Sequence, residues 1–301
     1  MRDVSSKYSS LRSAKAAAVL KVHPSTIASI RSGNVPKADP LGVARVAGIQ
    51  AAKNTNVLIP YCHQVPLDSV SVDIVLSSSA VNITSEVKAV WKTGVEMEAL
   101  VAASTAALAL YDMLKIIDEE MEILSVKLVA KRGGKSQLKG SAAGLTAAVL
   151  VISDSVSRGE KEDLSGKILV ERLKAHKFEV VAYKIVPDER PVIEKELINL
   201  SETQRVSLVA TTGGTGMGPR DVTPEATVAV LHRRMEGVEE ALRRFGQDRL
   251  PMAMLSRSVV GVRGTTLIIN FPGSTGGVED GMNAIFPAIL HTFGMMKGEG
   301  H

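Results

Sequence analysis

Residues 131–144 read KRGGKSQLKGSAAG, a glycine-, serine- and lysine-rich stretch separating two regions whose hydrophobic rhythms differ. Such a composition favours a connector over packed structure. At 301 residues the chain also exceeds the roughly 250 at which a single hydrophobic core stops growing. Two domains are therefore expected, residues 1–137 and 146–301, joined by a linker at 138–145.

In the first region Val70, Val72, Ile74 and Leu76 alternate with Ser and Asp, and Val81, Ile83, Val87, Ala89 and Trp91 alternate with polar residues. With serines at 77–79 between them, these runs read as an antiparallel hairpin with one buried face. A stretch from 96 to about 118, apolar on nearly every side, predicts a helix buried against a sheet or a subunit, and 125–131 predicts a further strand. This order implies an α+β domain, an antiparallel sheet with helices of the ferredoxin-like kind. The second region alternates regularly: strand 145–152, helix 165–176, strand 179–186, helix 191–200, strand 206–211. That rhythm implies a three-layer α/β domain with a mostly parallel sheet, whose ligands sit beyond the carboxyl ends of the strands.

Lys and Arg total 36 against 32 Asp and Glu, and the signs are interspersed, which suits small anions better than a polymer. Aromatic residues make up 3% of the chain, too few for the stacking platforms of a single-strand nucleic-acid binder, so no nucleic-acid partner is expected. Cys62 is the sole cysteine, which excludes an intramolecular disulfide and any multi-cysteine metal centre within one chain. No signal-like apolar segment opens the chain, and the most apolar run, 99–110, falls short of the roughly 20 residues of a membrane span. A cytoplasmic protein without a membrane segment is expected.

Three loops of the second domain follow apolar strands and should converge: Ser153-Asp154-Ser155, the glycine-rich 211–221, and 271–274. The middle one runs into Thr223-Pro224-Glu225, where Thr is a good helix N-cap and Pro a good first helical residue. Backbone N–H groups at such a helix start favour phosphate or carboxylate. The loop fits neither the Walker A pattern nor the dinucleotide fingerprint. The segments TTGGTGMGPRDVTPEAT, ISDSVSRGE, IVPDER, AMLSRSVVG and NFPGS together resemble the MogA/MoaB family, which includes molybdopterin adenylyltransferases, over residues 146–297. The resemblance implies that Gly213, Gly214, Thr215, Gly216, Gly218, Gly273 and Ser274, with Asp154 nearby, contact pterin and phosphate. It also implies that Asp188 and Asp221 serve adenylyl transfer and hold Mg²⁺ with ATP. Read from the residues alone, Asp221 could instead cap the next helix, and Asp188, after Pro187, could be a turn residue.

In the first domain Cys62 and His63 lie in a proline-bounded loop, IPYCHQVP; Glu96 and Glu98 open the long helix, and Asp112 and Lys115 stand at i and i+3 on it. The apolar surroundings of Asp112 and Lys115 suggest a buried pair, costly unless used. The segments DVSSKYSSLRSAKA, VARVAGIQAAKNTNVLIPYCHQVPL, TGVEMEALVAASTAALALYDMLK and LVAKRGGKS are similar, in order and spacing, to MoaC, the cyclic pyranopterin monophosphate synthase family. The resemblance implies conversion of cyclic dihydro-GTP into cyclic pyranopterin monophosphate and pyrophosphate. It assigns Lys37, His63, Asp112 and Lys115 to catalysis, Lys131 and Lys135 to the triphosphate, and Cys62, Glu96, Met97 and Glu98 to substrate contact. The fused chain is then expected to act twice in molybdenum cofactor synthesis, on cyclic dihydro-GTP, molybdopterin and ATP, with no organic cofactor, as a homo-oligomer, trimer or hexamer. The alternative for the second domain is a non-catalytic pterin-binding or scaffolding module.

Overall fold

A computed structural model describes residues 1–134, 137 and 140–298. The chain forms two compact units, Met1–Gln137 and Leu138–His301.

In the first unit β1 (Ser10–Lys21) leads through α1 (Pro24–Ser32), α2 (Pro40–Lys53) and α3 (Thr55–Leu58) to the hairpin β2 (Ser69–Leu76) and β3 (Ala80–Trp91). Then come α4 (Glu96–Leu114) and β4 (Glu122–Arg132). The sheet order β2-β3-β1-β4, antiparallel throughout, is the ferredoxin-like arrangement expected from the sequence. The hairpin, the long helix and the last strand fall where the hydrophobic pattern predicts. The central strand β1 does not announce itself, because its inward positions are Ala14, Ala16, Ala18 and Leu20, and alanine is a poor strand former. Their small size lets α4 approach through Ala99, Ala102, Ala103 and Ala106, all fully buried. The same small residues let α4 meet α2 closely: a side chain at Gly48 would stand 2.9 Å from the Ala102 carbonyl. Asp39 starts α2 by accepting from the amides of Leu41 and Gly42.

α4 is the one described helix long and apolar enough to cross a membrane, and half of it is buried within the fold. Leu108 on its outer side is 58% exposed.

The second unit continues with β5 (Thr146–Ile152), α5 (Asp154–Ser157), α6 (Ser165–Ala175), β6 (Glu179–Val186), α7 (Arg190–Ile198) and β7 (Leu208–Thr212). After these come α8 (Thr223–Val230), β8 (Arg233–Arg234), α9 (Glu236–Gln247), β9 (Val260–Arg263), β10 (Thr266–Phe271), α10 (Thr275–Ile285) and α11 (His291–Met296). Strand order is β6-β5-β7-β10-β9-β8; β6, β5, β7 and β10 are parallel, and β9 near one edge pairs antiparallel with both β10 and β8. One face packs under α6 and α10 and the other under α7 and α8, giving three layers. Ala142, in the segment expected to link the domains, is fully buried in the core of this unit. The chain steps from β5 outward to β6 and then back past β5 to β7, so a topological switch point opens between β5 and β7.

Candidate active sites

At that switch point the three loops converge around a cavity of about 510 Å³ lined by Ser153, Asp163, Asp188, Gly213, Asp221 and Ser274, with Gly214 and Gly273 also in its wall. Glycine is forced at Gly213: φ is +102°, and a Cβ would stand 2.1 Å from the Ile152 carbonyl oxygen. The loops are stitched together by Thr212, whose Oγ1 donates to the Pro272 carbonyl at 2.8 Å. Ser274 caps α10, accepting from the Gly277 amide, so the helix start faces the cavity.

Asp154 and Asp188 clasp one another's backbone, each carboxylate accepting the other's amide at 2.8 and 3.1 Å. Arg220 then binds Asp154 through both Nε and Nη2 at 3.0 Å and reaches Glu189 at 2.9 Å. This holds the Asp154 carboxyl below its ordinary value, while burial, with the charges of Asp154 and Asp221 adding to it, pushes Asp188 up. Asp221 accepts from the Gly218 amide at 2.6 Å, closing the glycine loop on itself. Thr215, Gly216, Gly218 and Asp154, predicted to contact ligand, do not line the cavity; they shape the loop behind it.

Thr223 corrects the expectation of a helix cap. It is the first residue of α8, and its hydroxyl bonds no helix amide. The Oγ1 atom is buried without a hydrogen-bond partner, crowding the same point beside Gly214 as Asp188 Oδ1. Asp188 and Asp221 line the cavity with hard oxygen donors, which fits Mg²⁺ held by carboxylates and substrate phosphates, and the orphaned hydroxyl lies beside Asp188. Among the described residues no cluster of three or more His, Cys, Asp or Glu side chains is arranged to bind a metal unaided. Phosphate oxygens would have to complete the coordination.

In the first unit Asp112 lies between two ammonium groups. Lys115 Nζ is 2.8 Å from Oδ1, and Lys37 Nζ, arriving from the loop before α2, is 2.9 Å from Oδ2 and also donates to the Asp112 carbonyl. Hydrogen bonds from Lys115 and then Lys37 draw the Asp112 carboxyl down to about 2, and Asp112 raises Lys115 in turn. The expectation of a buried pair is wrong: the Asp112 and Lys115 side chains are 57% and 54% exposed, because they leave the packed face of α4 near its end. Lys37, 75 residues away, makes the group more than a local helix pair.

The remaining predicted residues gather at the opposite end of α4. Glu96 pairs with Lys131 at 3.4 Å. Glu98 is buried, which pushes its carboxyl up, with Glu96 adding to the effect. Burial and the nearby Glu98 raise the Cys62 thiol, and His63 is the next residue. Met97 is part exposed on the same turn. Lys135 lies outside the described residues. Glu96 and Asp112 are 16 residues apart on one helix, about 24 Å at 1.5 Å per residue. Within one chain the predicted catalytic set is therefore two half-sites.

The "Molybdenum cofactor biosynthesis bifunctional protein" of Chlorobaculum tepidum is 42% identical across all of this chain and 96% of its own length. This chain belongs to the bifunctional molybdenum cofactor biosynthesis proteins. A second such protein, from Synechococcus elongatus, is 35% identical over the whole chain and 98% of its own length. Residues 1–134 match the MoaC family, and residues 148–291 match the family described as "Probable molybdopterin binding domain". The first unit alone is 50% identical to the "Cyclic pyranopterin monophosphate synthase" of Syntrophomonas wolfei, covering 45% of this chain and 88% of that protein. A crystal structure of the molybdopterin biosynthesis enzyme MoaB from Thermus thermophilus aligns at 42% identity and TM-score 0.49, covering 51% of this chain and 97% of that one.

Within this bifunctional protein, sequence reasoning passed over Arg257. Its amide donates to the Thr215 carbonyl, its Nε to the Gly216 carbonyl and its Nη2 to the Asp221 carbonyl, and it pairs with Glu225, so one residue ties the middle of the glycine loop to its end at Asp221. The signal was present in the AMLSRSVVG segment, whose arginine has no obvious partner in the linear sequence.

Proposed function

We propose that the first unit converts cyclic dihydro-GTP into cyclic pyranopterin monophosphate with loss of pyrophosphate, and that the second binds molybdopterin and adenylates it with ATP. For the first reaction the carrying observation is the Lys37–Asp112–Lys115 cluster. With Asp112 held anionic and Lys115 held cationic, Lys115 enters the reaction as a proton donor and phosphate ligand. Lys37 and Lys131 neutralise the departing pyrophosphate, with Lys135 assigned the same duty by sequence alone. Because His63, Glu96 and Glu98 lie about 24 Å from this cluster in one chain, a second copy supplies them, and the active form is a homo-oligomer. A trimer or hexamer fits this requirement. Lys115→Ala assayed with cyclic dihydro-GTP is expected to lose activity while keeping its fold; a wild-type rate would refute the assignment.

For the second reaction a terminal phosphate oxygen of molybdopterin attacks the α-phosphorus of ATP, forming a new P–O–P bond as the bond to pyrophosphate breaks. Mg²⁺, bound with ATP by Asp188 and Asp221, would neutralise charge developing on the phosphates. The chain's own part is to cradle those phosphates on Gly213, Gly214 and Ser274 and to keep Asp188 aimed through its clasp with Asp154. Asp221→Asn can still accept from the Gly218 amide, so the fold should persist while ATP-dependent adenylation is lost. Turnover equal to wild type would refute the role of Asp221, and a wild-type protein without ATP-dependent turnover would leave the second unit as a pterin-binding module.

A further inference from the structure

Asp118 follows Lys115 by three residues and is 7% exposed. Its Oδ2 accepts from the His23 amide at 2.7 Å and from the Thr26 hydroxyl at 2.8 Å, and its Oδ1 from the Glu120 amide at 3.2 Å. His23 and Thr26 stand 95 and 92 residues earlier in the chain, at the start of α1. The carboxylate thus caps a helix other than its own, at the end where negative charge is favoured. Burial works against that charge, yet the three donors hold the carboxyl below its ordinary value. Both arms of the clamp lead to the ammonium groups around Asp112. On one side the turn from Lys115 to Asp118 closes α4, with the amides of Ile117 and Asp118 donating to the Leu114 carbonyl. On the other, α1 ends at Gly33, the Asn34 amide returns to the Ser29 carbonyl, and Val35 is buried. Lys37 comes next but one, before Ala38, at φ +64°, turns the chain into α2.

We propose that Asp118 is a positioning residue of the first reaction: by gripping the start of α1 it sets Lys115 and Lys37 on opposite oxygens of Asp112. The inference rests on the reading of that cluster as catalytic and extends it to a residue outside the cluster that acts through it. A lysine is a charge on a flexible four-carbon stem, so its placement depends on where its backbone is held. Lys115 is the C-cap of α4, and helix ends fray unless the last turn is fixed. Two ammonium groups also repel one another, and they converge on one carboxylate only while both backbones stay in place. Thr26 is the second member of the clamp, because its buried hydroxyl is spent on Asp118. A staple of purely structural value would do no more than raise the melting temperature. A positioning residue also alters the reacting groups of a chain that is fully folded.

Full-length Asp118→Ala, Asp118→Asn and Thr26→Val chains are assayed with cyclic dihydro-GTP at a temperature where circular dichroism shows each to be folded. Asp118→Ala removes all three acceptor bonds and should lower kcat/KM about tenfold or more. Asp118→Asn keeps one carbonyl oxygen for the His23 amide and the Thr26 hydroxyl, and should hold the rate to within about threefold of wild type. Thr26→Val is close in shape and deletes a single bond, so it carries the test should Asp118→Ala fail to fold; a loss of about threefold is expected. The readout that a structural role alone would not move is Asp112. Its carboxyl, drawn down to about 2 by the two lysines, should titrate closer to 3.8 by carboxyl NMR in Asp118→Ala and stay low in Asp118→Asn. A wild-type rate in the folded Asp118→Ala and Thr26→Val chains overturns the proposal. So does a failure of asparagine to restore the rate, or a rate lost while Asp112 still titrates at about 2. A wild-type rate in Lys115→Ala would instead overturn the catalytic reading of the cluster that Asp118 serves.

Discussion

Arg257→Met removes the guanidinium that spans the glycine loop and keeps an apolar stem of similar length. Two hydrogen bonds to carbonyls are lost, to Gly216 at 2.8 Å and to Asp221 at 2.6 Å. Hydrogen bonds from charged groups contribute about 1.5–3 kcal/mol each, and with the side chain 31% exposed the lower figure applies to both. The loss is then about 3 kcal/mol. The exposed pair with Glu225 adds little, of order 0–1 kcal/mol. For a unit of this size a change of 1 kcal/mol moves the melting temperature by roughly 2–4 °C, so the second unit should melt roughly 6–12 °C lower. Calorimetry of the full-length protein measures this, and hydrogen exchange should show amides 213–221 opening faster than those of β7 and β10. A melting temperature within about 2 °C of wild type, with exchange in the loop unchanged, would refute the reasoning.

Two further consequences follow from packing and charge: Ala16→Leu puts a large side chain at a fully buried position of β1 in a close-packed core and should destabilise by about 1–3 kcal/mol by urea unfolding, whereas Leu11→Ala on the exposed side should cost little. Asp112 titrates near 2 in the folded chain against 3.8 in model compounds, so its contribution to stability is present above pH 3.8 and is lost as pH falls toward 2; carboxyl NMR should show its pKa rising toward 3.8 in the Lys37→Ala, Lys115→Ala double variant.

What the sequence made legible, and what it hid, have separate physical causes. Period-two alternation in β2 and β3, the long apolar helix and the strand–helix rhythm after 145 were readable because burial on one face or two leaves a hydrophobic pattern. β1 was not, since its inward alanines record how near α4 comes and carry no strand propensity of their own. The exposure of Asp112 and Lys115 was misread for a related reason: Leu108 in α4 and Ile116 just after it are apolar yet exposed, so the composition of this stretch does not reveal where the packed face ends. The glycine loop announced its turns, but not that Arg257, 36 residues beyond Asp221, holds it or that the Thr223 hydroxyl is left without a partner. Such long-range pairings are set by topology, which local pattern does not encode.

The claim on which the account of the first reaction turns is that one site is assembled from opposite ends of α4 in two copies of the chain. Complementation tests it directly: His63→Ala and Lys115→Ala chains, each inactive alone, are unfolded, mixed in equal amounts and refolded together, and conversion of cyclic dihydro-GTP is assayed. Random assembly pairs an intact half-site from each copy in about a quarter of the sites, so about a quarter of wild-type activity should return. Activity no greater than that of the separate variants would show that both ends of the helix do not meet across copies, and would contradict the shared site.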